Sequence, residues 1–312
     1  PPAFDGAIER PQDVDVLVTE AGPVRGRMEI TRRYRWPTRI DGGRRVGPID
    51  VFIYTTVELR AGEDLVRVTV RFDNPSTDHR VRAWFPLPEP AAQSVAECAF
   101  TTVARGLTAE GGPNEIGLPT YPSRRFVSAG GLTVVHDGLC EYELVDIEGD
   151  GDAARASSMA ITLLRCVGLI SAGPMTMRAL PAGPPTPTPG AQMIGPHEAQ
   201  LVLHVGGRDP YAVADEAFTP LLTARFPGKD GLGDPAASGA ALRVDGAEVS
   251  ALTRRTDGRI ELRVVNTTDE PTTVTVAGRT GELTDLNGTP TGEAFSGTHE
   301  LRAHQIQTIA LD

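Results

Sequence analysis

Six histidines are the first candidates for acid–base or metal chemistry in this 312-residue sequence. Only His197 and His204 lie near one another in the chain, seven residues apart and with Pro196 before the first. Metal-binding histidines usually recur at shorter, fixed spacings on one element. We therefore expect solvated or core histidines and no metal site. The six are His79, His136, His197, His204, His299 and His304.

Paired carboxylates are the next candidates, because glycoside hydrolysis uses two carboxyl groups that flank the bond to be broken. Glu141 and Glu143 alternate along a predicted strand, and an acidic turn follows at Asp146–Asp152. Two carboxylates on a flat strand lack the pocket that would raise the pKa of one of them. The known nucleophile-elbow, zinc-protease, phosphate-loop and dinucleotide-binding motifs are also absent from the sequence. We predict no catalytic residue in this chain.

Two segments carry side chains that could contact a ligand or another domain. The first, RALPAGPPTPTPGAQMIGPHEAQ, is rich in proline, and we expect a long loop that cannot pair in the centre of a sheet. Its role is open between an interface or ligand contact and a passive crossover. Arg178, Gln192 and His197 have side chains suited to hydroxyl groups. The second loop, Gly117–Phe126, carries Tyr121 and Arg124, which could contact a sugar or a neighbouring domain.

The elements around these loops are predicted to be strands. Apolar residues alternate with polar ones almost throughout, as at Val14, Val16 and Val18, and residues 61–64 form the turn of a long hairpin. Helical stretches are scarce: residues 212–222 favour two turns that Pro220 would end. Many strands without crossover helices indicate stacked antiparallel sheets.

A change of composition at PGKDGLGDPAASGA predicts a domain boundary. We expect a β domain over residues 1–228, a linker over 229–240 and a second domain over 241–312. The second part has short strands separated by Asp-Gly and Asn-Gly turns, which predicts a small immunoglobulin-like sandwich.

Charge and hydropathy exclude two classes of partner. The chain has 30 basic and 41 acidic residues, a net charge of −11 and no basic cluster, which argues against nucleic acid. No apolar run approaches the roughly 18 residues that a membrane span requires, and the first residues do not resemble a signal peptide. We expect neither nucleic-acid nor membrane binding, and a bacterial cytoplasmic location. The three cysteines, Cys98, Cys140 and Cys166, have no metal-site or disulfide pattern.

Several ordered blocks together resemble the C-terminal half of bacterial α-mannosidases of glycoside hydrolase family 38. The blocks are VTEAGPVRGRMEITRRYRW, ELRAGEDLVRVTVRFDNPSTDHRVRAWFPLP, PTYPSRRFV, GGLTVVHDGLCEYELVD, ITLLRCVGLIS, GPPTPTPGAQMIGPHEAQLVLH and HELRAHQIQTIAL. The resemblance implies an all-β fold: a large antiparallel supersandwich of the galactose-mutarotase-like type, followed by a small immunoglobulin-like β-sandwich.

The resemblance also implies that catalysis is carried out by a domain other than this chain. In the family, an N-terminal barrel carries the carboxylate nucleophile and the zinc ion of a retaining mechanism. The partners implied for this chain are therefore an N-terminal catalytic domain of the same polypeptide and an α-mannoside at the shared cleft. We expect no cofactor in this chain, zinc in the catalytic domain, and no activity of the chain alone. A surface normally covered by the barrel should be exposed and apolar.

Two alternatives belong to other classes of protein. A free-standing carbohydrate-binding β-sandwich protein would bind oligosaccharides without any catalytic partner. An autonomous sugar epimerase is disfavoured, since no histidine and carboxylate are placed for proton transfer at an anomeric centre.

Overall fold

The computed structural model describes residues 10–139, 141–175, 177–223 and 239–312. Its contacts divide the chain into two compact units. One holds the described residues up to Ala96 together with Ala104–Phe218, and the other holds Glu97–Val103 with the described residues from Thr219 onward. Most of the predicted linker, residues 229–238, lies outside the described residues, as does Cys140.

Alternating side chains produce strands over most of the described chain, and the predicted all-β fold is confirmed. The first thirteen strands are β1 (Asp13–Ala21), β2 (Arg25–Asp41), β3 (Arg44–Arg60), β4 (Val66–Asn74), β5 (Arg80–Ala91), β6 (Gln93–Cys98), β7 (Thr101–Gly106), β8 (Thr120–Pro122), β9 (Phe126–Ala129), β10 (Leu132–His136), β11 (Glu141–Glu148), β12 (Arg155–Arg165) and β13 (Gly195–Val205). Short 3-10 helices lie at Gly151–Ala153 and Pro189–Gln192, and helix α1 at Pro210–Phe218.

Two antiparallel sheets build the supersandwich. A nine-stranded sheet has the order β1-β2-β3-β4-β13-β10-β9-β6-β7, and a four-stranded sheet has the order β5-β12-β11-β8. Their facing side chains form one core that includes Trp36, Phe72, Val134, Tyr142 and Ile161. Helix α1 packs Tyr211 and Val213 into a second cluster, with Phe126 and Val135. The nine-stranded sheet is therefore covered on one face by the smaller sheet and on part of the other by α1.

The C-terminal strands form the small sandwich. They are β14 (Val244–Asp245), β15 (Glu248–Arg254), β16 (Ile260–Val265), β17 (Thr272–Val276), β18 (Gly281–Thr284), β19 (Pro290–Phe295), β20 (Thr298–Leu301) and β21 (Ile306–Leu311). They make a three-stranded sheet, β14-β17-β20, and a five-stranded sheet, β15-β16-β21-β18-β19. Leu262, Val274, Phe295 and Ile309 fill the core of this sandwich.

Two predicted loops are partly strand. Gly195–Gln200, which we expected to be loop, is strand: it pairs with β4 on one side, with Pro196 opposite Asp73, so the predicted extent of the loop is corrected. The proline is tolerated because β10 pairs only with Leu201–Val205, which leaves the other edge of this stretch unpaired. Tyr121 likewise lies in a strand, opposite Tyr142, at the edge of the four-stranded sheet.

Within the described ranges, no helix is long and apolar enough to cross a membrane.

Candidate functional site

The proline-rich segment is folded back on the chain that precedes it. Backbone N–H groups of Val167 and Ile170 donate to the carbonyls of Ala191 (3.0 Å) and Thr186 (2.9 Å), and Thr188 N–H donates to Gly168 O (2.9 Å). These bonds satisfy backbone groups that proline cannot pair in a regular ladder. The segment is consequently held in a defined path as an irregular hairpin.

Asn74, at the end of β4, fixes the far end of this segment. Its side chain is fully buried, and its Nδ2 donates to the carbonyl oxygens of Gln192 (3.2 Å) and Met193 (2.9 Å). Its Oδ1 accepts from the N–H of Ser76 (3.0 Å). One buried amide therefore ties the segment to both the sheet and the turn after it.

Gln192, a predicted ligand-contacting residue, forms a second tie. Its Oε1 accepts from Asp78 N–H at 2.8 Å, and its Nε2 donates to the Asp78 carboxylate at 2.9 Å. A Cβ atom on Gly168 would lie 2.7 Å from that Nε2, so glycine is needed for this approach. Both polar atoms of the Gln192 side chain thus serve the loop itself.

His197 lies on β13, close to the hydrogen bonds between Gln192 and Asp78. Its Nε2 lies 2.7 Å from Met193 O and its ring 5.5 Å from that of Phe72. Because Met193 O can only accept, Nε2 carries a proton and donates to it. Of the five predicted contact residues, Gln192 and His197 are therefore brought together around Met193.

The other three predicted contact residues, Arg178, Tyr121 and Arg124, have surroundings different from those of Gln192 and His197. Arg178 Nη2 lies 3.5 Å from Ala172 O, and among the described residues its buried Nε has no hydrogen-bond partner. Tyr121 donates its hydroxyl to Thr108 O (2.8 Å), and the Arg105 guanidinium lies 5.4 Å from its ring centre. Arg124 is exposed, three residues further along. The partners of Tyr121 do not come from the proline-rich segment.

The two candidate carboxylates, Glu141 and Glu143, are both bonded to arginine side chains. Glu141 accepts from Thr162 Oγ1 (2.7 Å) and from Arg165 (2.8 Å). Its pKa is lowered, because these bonds and the nearby arginines outweigh the desolvation that opposes them. Glu143 pairs with Arg82 at 2.7 Å. A general acid requires a raised pKa, so Glu141 does not fit that role.

The structure contains a buried serine–histidine pair that matches none of the sequence motifs and was not predicted. Ser123 Oγ lies 2.7 Å from His136 Nε2, and both side chains are buried. In the described part of the chain, His136 Nδ1 has no hydrogen-bond partner, so no carboxylate orients the ring as in a catalytic triad. Burial lowers the pKa of His136 to about 4. The pair stabilises the fold with a neutral imidazole.

This histidine makes stability depend on pH. The folded-state pKa of about 4 lies below the 6.5 of the unfolded chain, so stability is complete above pH 6.5 and falls toward pH 4. The His136→Gln side chain cannot be protonated. Between pH 7 and 4.5 we therefore expect the free energy of unfolding of this variant to fall by about 2 kcal/mol less than that of the wild type. Urea unfolding at both pH values measures this. Equal losses in the two proteins would contradict it.

Among the residues that the structure describes, no three or more histidine, cysteine or acidic side chains are grouped so that they could hold a metal ion.

An exposed apolar sheet face lies at one edge of the nine-stranded sheet. Its ladder runs Val18–Met28–Val57–Val68 across β1 to β4. Exposure along this ladder falls from 63% at Val18 through 38% at Met28 to 8% at Val68. The face that forms the core at β4 therefore continues, uncovered, onto the first strands. We name this the β1–β3 apolar face; its apolar members are Val14, Val16, Val18, Met28, Ile30, Val57 and Leu59. Two polar residues lie among them, Arg32 and Thr55, and Arg32 Nη1 donates to Thr55 Oγ1 at 3.1 Å.

Comparison with known proteins gives three kinds of match. Residues 246–309 match a family model described as the C-terminal immunoglobulin-like domain of D-apionate lactonase. A protein of Halalkalibacterium halodurans named as a mannosylglycerate hydrolase is 30% identical over 179 residues, which are 56% of this chain and 18% of that protein.

Two solved structures from Enterococcus faecalis share the fold. One is a protein of glycosyl hydrolase family 38, with 20% identity, a TM-score of 0.74, and coverage of 96% of this chain and 36% of that chain. The other is an alpha-mannosidase, with 20% identity, a TM-score of 0.73, and coverage of 96% and 35%. The predicted resemblance is confirmed for the fold: this chain corresponds to a portion, about a third, of those proteins.

Proposed function

We propose that this chain is the non-catalytic C-terminal β region of a retaining α-mannosidase of the bacterial cytoplasm. It stabilises an N-terminal catalytic domain of the same polypeptide and completes the cleft that receives an α-mannoside. The catalytic domain supplies the nucleophile and holds the zinc ion. The observation that carries the proposal is the β1–β3 apolar face.

Exposed apolar surfaces of this kind mark sites where another protein surface packs. The face lies on regular strands, so its shape is set by the sheet rather than by loops. The length of the matched structures supports the same partner, since about two thirds of each lies outside the part that this chain covers. The neighbour described as an alpha-mannosidase suggests the substrate class.

The five predicted contact residues enter the proposal as loop contacts rather than catalytic groups. Gln192 and His197 sit on a segment anchored by Asn74, which can present a fixed edge to a cleft. Arg178, Tyr121 and Arg124 are proposed to contact the catalytic domain or the sugar from other points of the first unit. Each of these contacts rests on the proposed function.

The isolated chain is expected to hydrolyse no aryl α-mannoside, with or without added zinc. The physical reason is that Glu141 and Glu143, the two carboxylates considered from the sequence, are both paired with arginine, and the pKa of Glu141 is lowered rather than raised. Release of the aryl group, followed spectroscopically, is the measurement. Turnover that a chelator abolishes would contradict the proposal.

A further inference from the structure

A cleft lies on the opposite face of the nine-stranded sheet from the core, where β3, β4 and β13 run side by side. Its volume is about 350 Å³. The residues around it are Tyr54, Arg71, Phe72, Asp73, Pro196, His197 and Glu198. Tyr54 pairs with Arg71, and Arg71 with Glu198, so these three side chains form one row across the three strands.

Aromatic side chains form an exposed platform at this row. Tyr54 is 53% exposed, and Phe52, two residues earlier on the same strand face, is 43% exposed. Their rings are nearly parallel, at 21°, with centroids 6.5 Å apart. Exposed aromatic rings on a strand are unusual without a partner, since they leave large apolar area in water. Flat apolar ring faces fit the carbon–hydrogen face of a sugar ring.

Polar groups surround the platform. Arg71 Nε donates to Glu198 Oε2 at 2.6 Å, and Gln200 Nε2 donates to Glu198 Oε1 at 3.0 Å, which fixes the Glu198 carboxylate in place. Asp73 is exposed, and its carboxylate accepts no hydrogen bond from the residues that the structure describes. Preorganised acceptors and donors beside an apolar surface are the usual means of binding hydroxyl groups.

The charges of the site do not favour a polyanion. The cleft lining has two carboxylates, Asp73 and Glu198, and one guanidinium, Arg71, while Arg33, opposite Phe52, adds a second guanidinium beside the platform. The site therefore lacks the cluster of positive charge that a phosphate or nucleic-acid backbone requires, whereas a neutral ligand with many hydroxyl groups needs none. We infer that this cleft, with the Tyr54–Phe52 platform, binds a neutral oligosaccharide.

This site is separate from the proposed docking surface. The β1–β3 apolar face lies on the core side of the sheet, whereas Tyr54 and Glu198 lie on the other side. An oligosaccharide bound here would leave the docking face free. The inference therefore holds or fails independently of any catalytic partner.

Titration calorimetry on the 312-residue chain tests the inference, with α-linked mannotriose, maltotriose and cellotriose as probes. We expect at least one to bind with a millimolar Kd. Tyr54→Ala should weaken that binding at least about tenfold, whereas Tyr54→Phe, which keeps the ring, should change it by less than about threefold. Trp84→Ala is the matched control, because Trp84 is an exposed strand aromatic beside Arg82 in the other sheet.

Three outcomes would overturn the inference. The first is no binding of any probe at about 10 mM, a concentration that detects even weak affinity. The second is equal loss in Tyr54→Ala and Trp84→Ala, or loss in Trp84→Ala alone. The third is that inorganic phosphate or an acidic peptide competes at this site, which would indicate a charge-driven ligand. Circular dichroism confirms that the variants remain folded.

Discussion

Val16→Asp is expected to weaken binding between this chain and the N-terminal catalytic region at least about 100-fold. Val16 lies at the centre of the exposed edge of the β1–β3 apolar face, opposite Ile30. In the complex a carboxylate there would be buried among apolar side chains, and Arg32, the nearby cation on this face, already donates to Thr55, so the cost is roughly 3 kcal/mol. Calorimetry with the catalytic region as a separate polypeptide measures the change.

Leu17→Asp is the matched control for this result. Leu17 is adjacent on β1 and equally exposed, 58% against 55% for Val16, but its side chain points to the opposite face of the sheet. It should leave binding within about threefold of wild type. Both residues are exposed, so neither substitution should lower the melting temperature of the isolated chain appreciably. Equal effects of the two substitutions would show that this face is not the docking surface.

Asn74→Ala is expected to destabilise the first unit by about 3 kcal/mol. The substitution removes the shared partner of the Gln192 and Met193 carbonyls and of the Ser76 N–H. Met193 O keeps its contact with His197 Nε2, so the loss falls on Gln192 O and Ser76 N–H. A buried group left unpaired loses its full solvation, which costs more than a surface hydrogen bond. The proline-rich segment should also become a site of proteolysis, because Asn74 fixes its end.

Urea unfolding measures the stability change, and limited proteolysis reports on the segment. Asn287→Ala provides the control, since Asn287 is an exposed turn residue of the small sandwich. It should change the free energy of unfolding by less than about 0.5 kcal/mol. A loss below about 1 kcal/mol in Asn74→Ala, with an intact segment, would contradict the anchoring role.

The strands were predictable because alternation of side chains is a local property. Val14, Val16 and Val18 share one face of β1, as their spacing predicts, and the turn at residues 61–64 separates β3 from β4. The proline-rich loop was expected to extend to Gln200, but its last residues join β13, because a proline is tolerated where only one edge of a strand is paired. Whether both edges are paired depends on β10, which lies about sixty residues away.

The contacts of the site depend on residues far apart in the chain. Asn74 meets Gln192 across 118 positions, and Ser123 meets His136 through the pairing of separate strands. No local motif marks such contacts. The Tyr54 cleft was missed for the same reason, because Tyr54, Arg71 and Glu198 align only when three strands take their register.

The resemblance to family 38 contributed the order of the two sandwiches and the expectation of an uncovered surface. Its fold is confirmed by the Enterococcus faecalis structures, which this chain covers by about a third. The chemistry of the α-mannosidase remains a proposal for this chain. We propose the β1–β3 apolar face as the physical link between this fold and that chemistry.

Reconstitution of α-mannosidase activity tests that link most directly. The catalytic region, produced without this chain, is assayed on an aryl α-mannoside with zinc while increasing amounts of the chain are added. The account predicts that activity rises to a plateau at one chain per catalytic region, and that the Val16→Asp chain fails to raise it. Full activity of the catalytic region alone, unchanged by the wild-type chain and without a complex, would contradict the account.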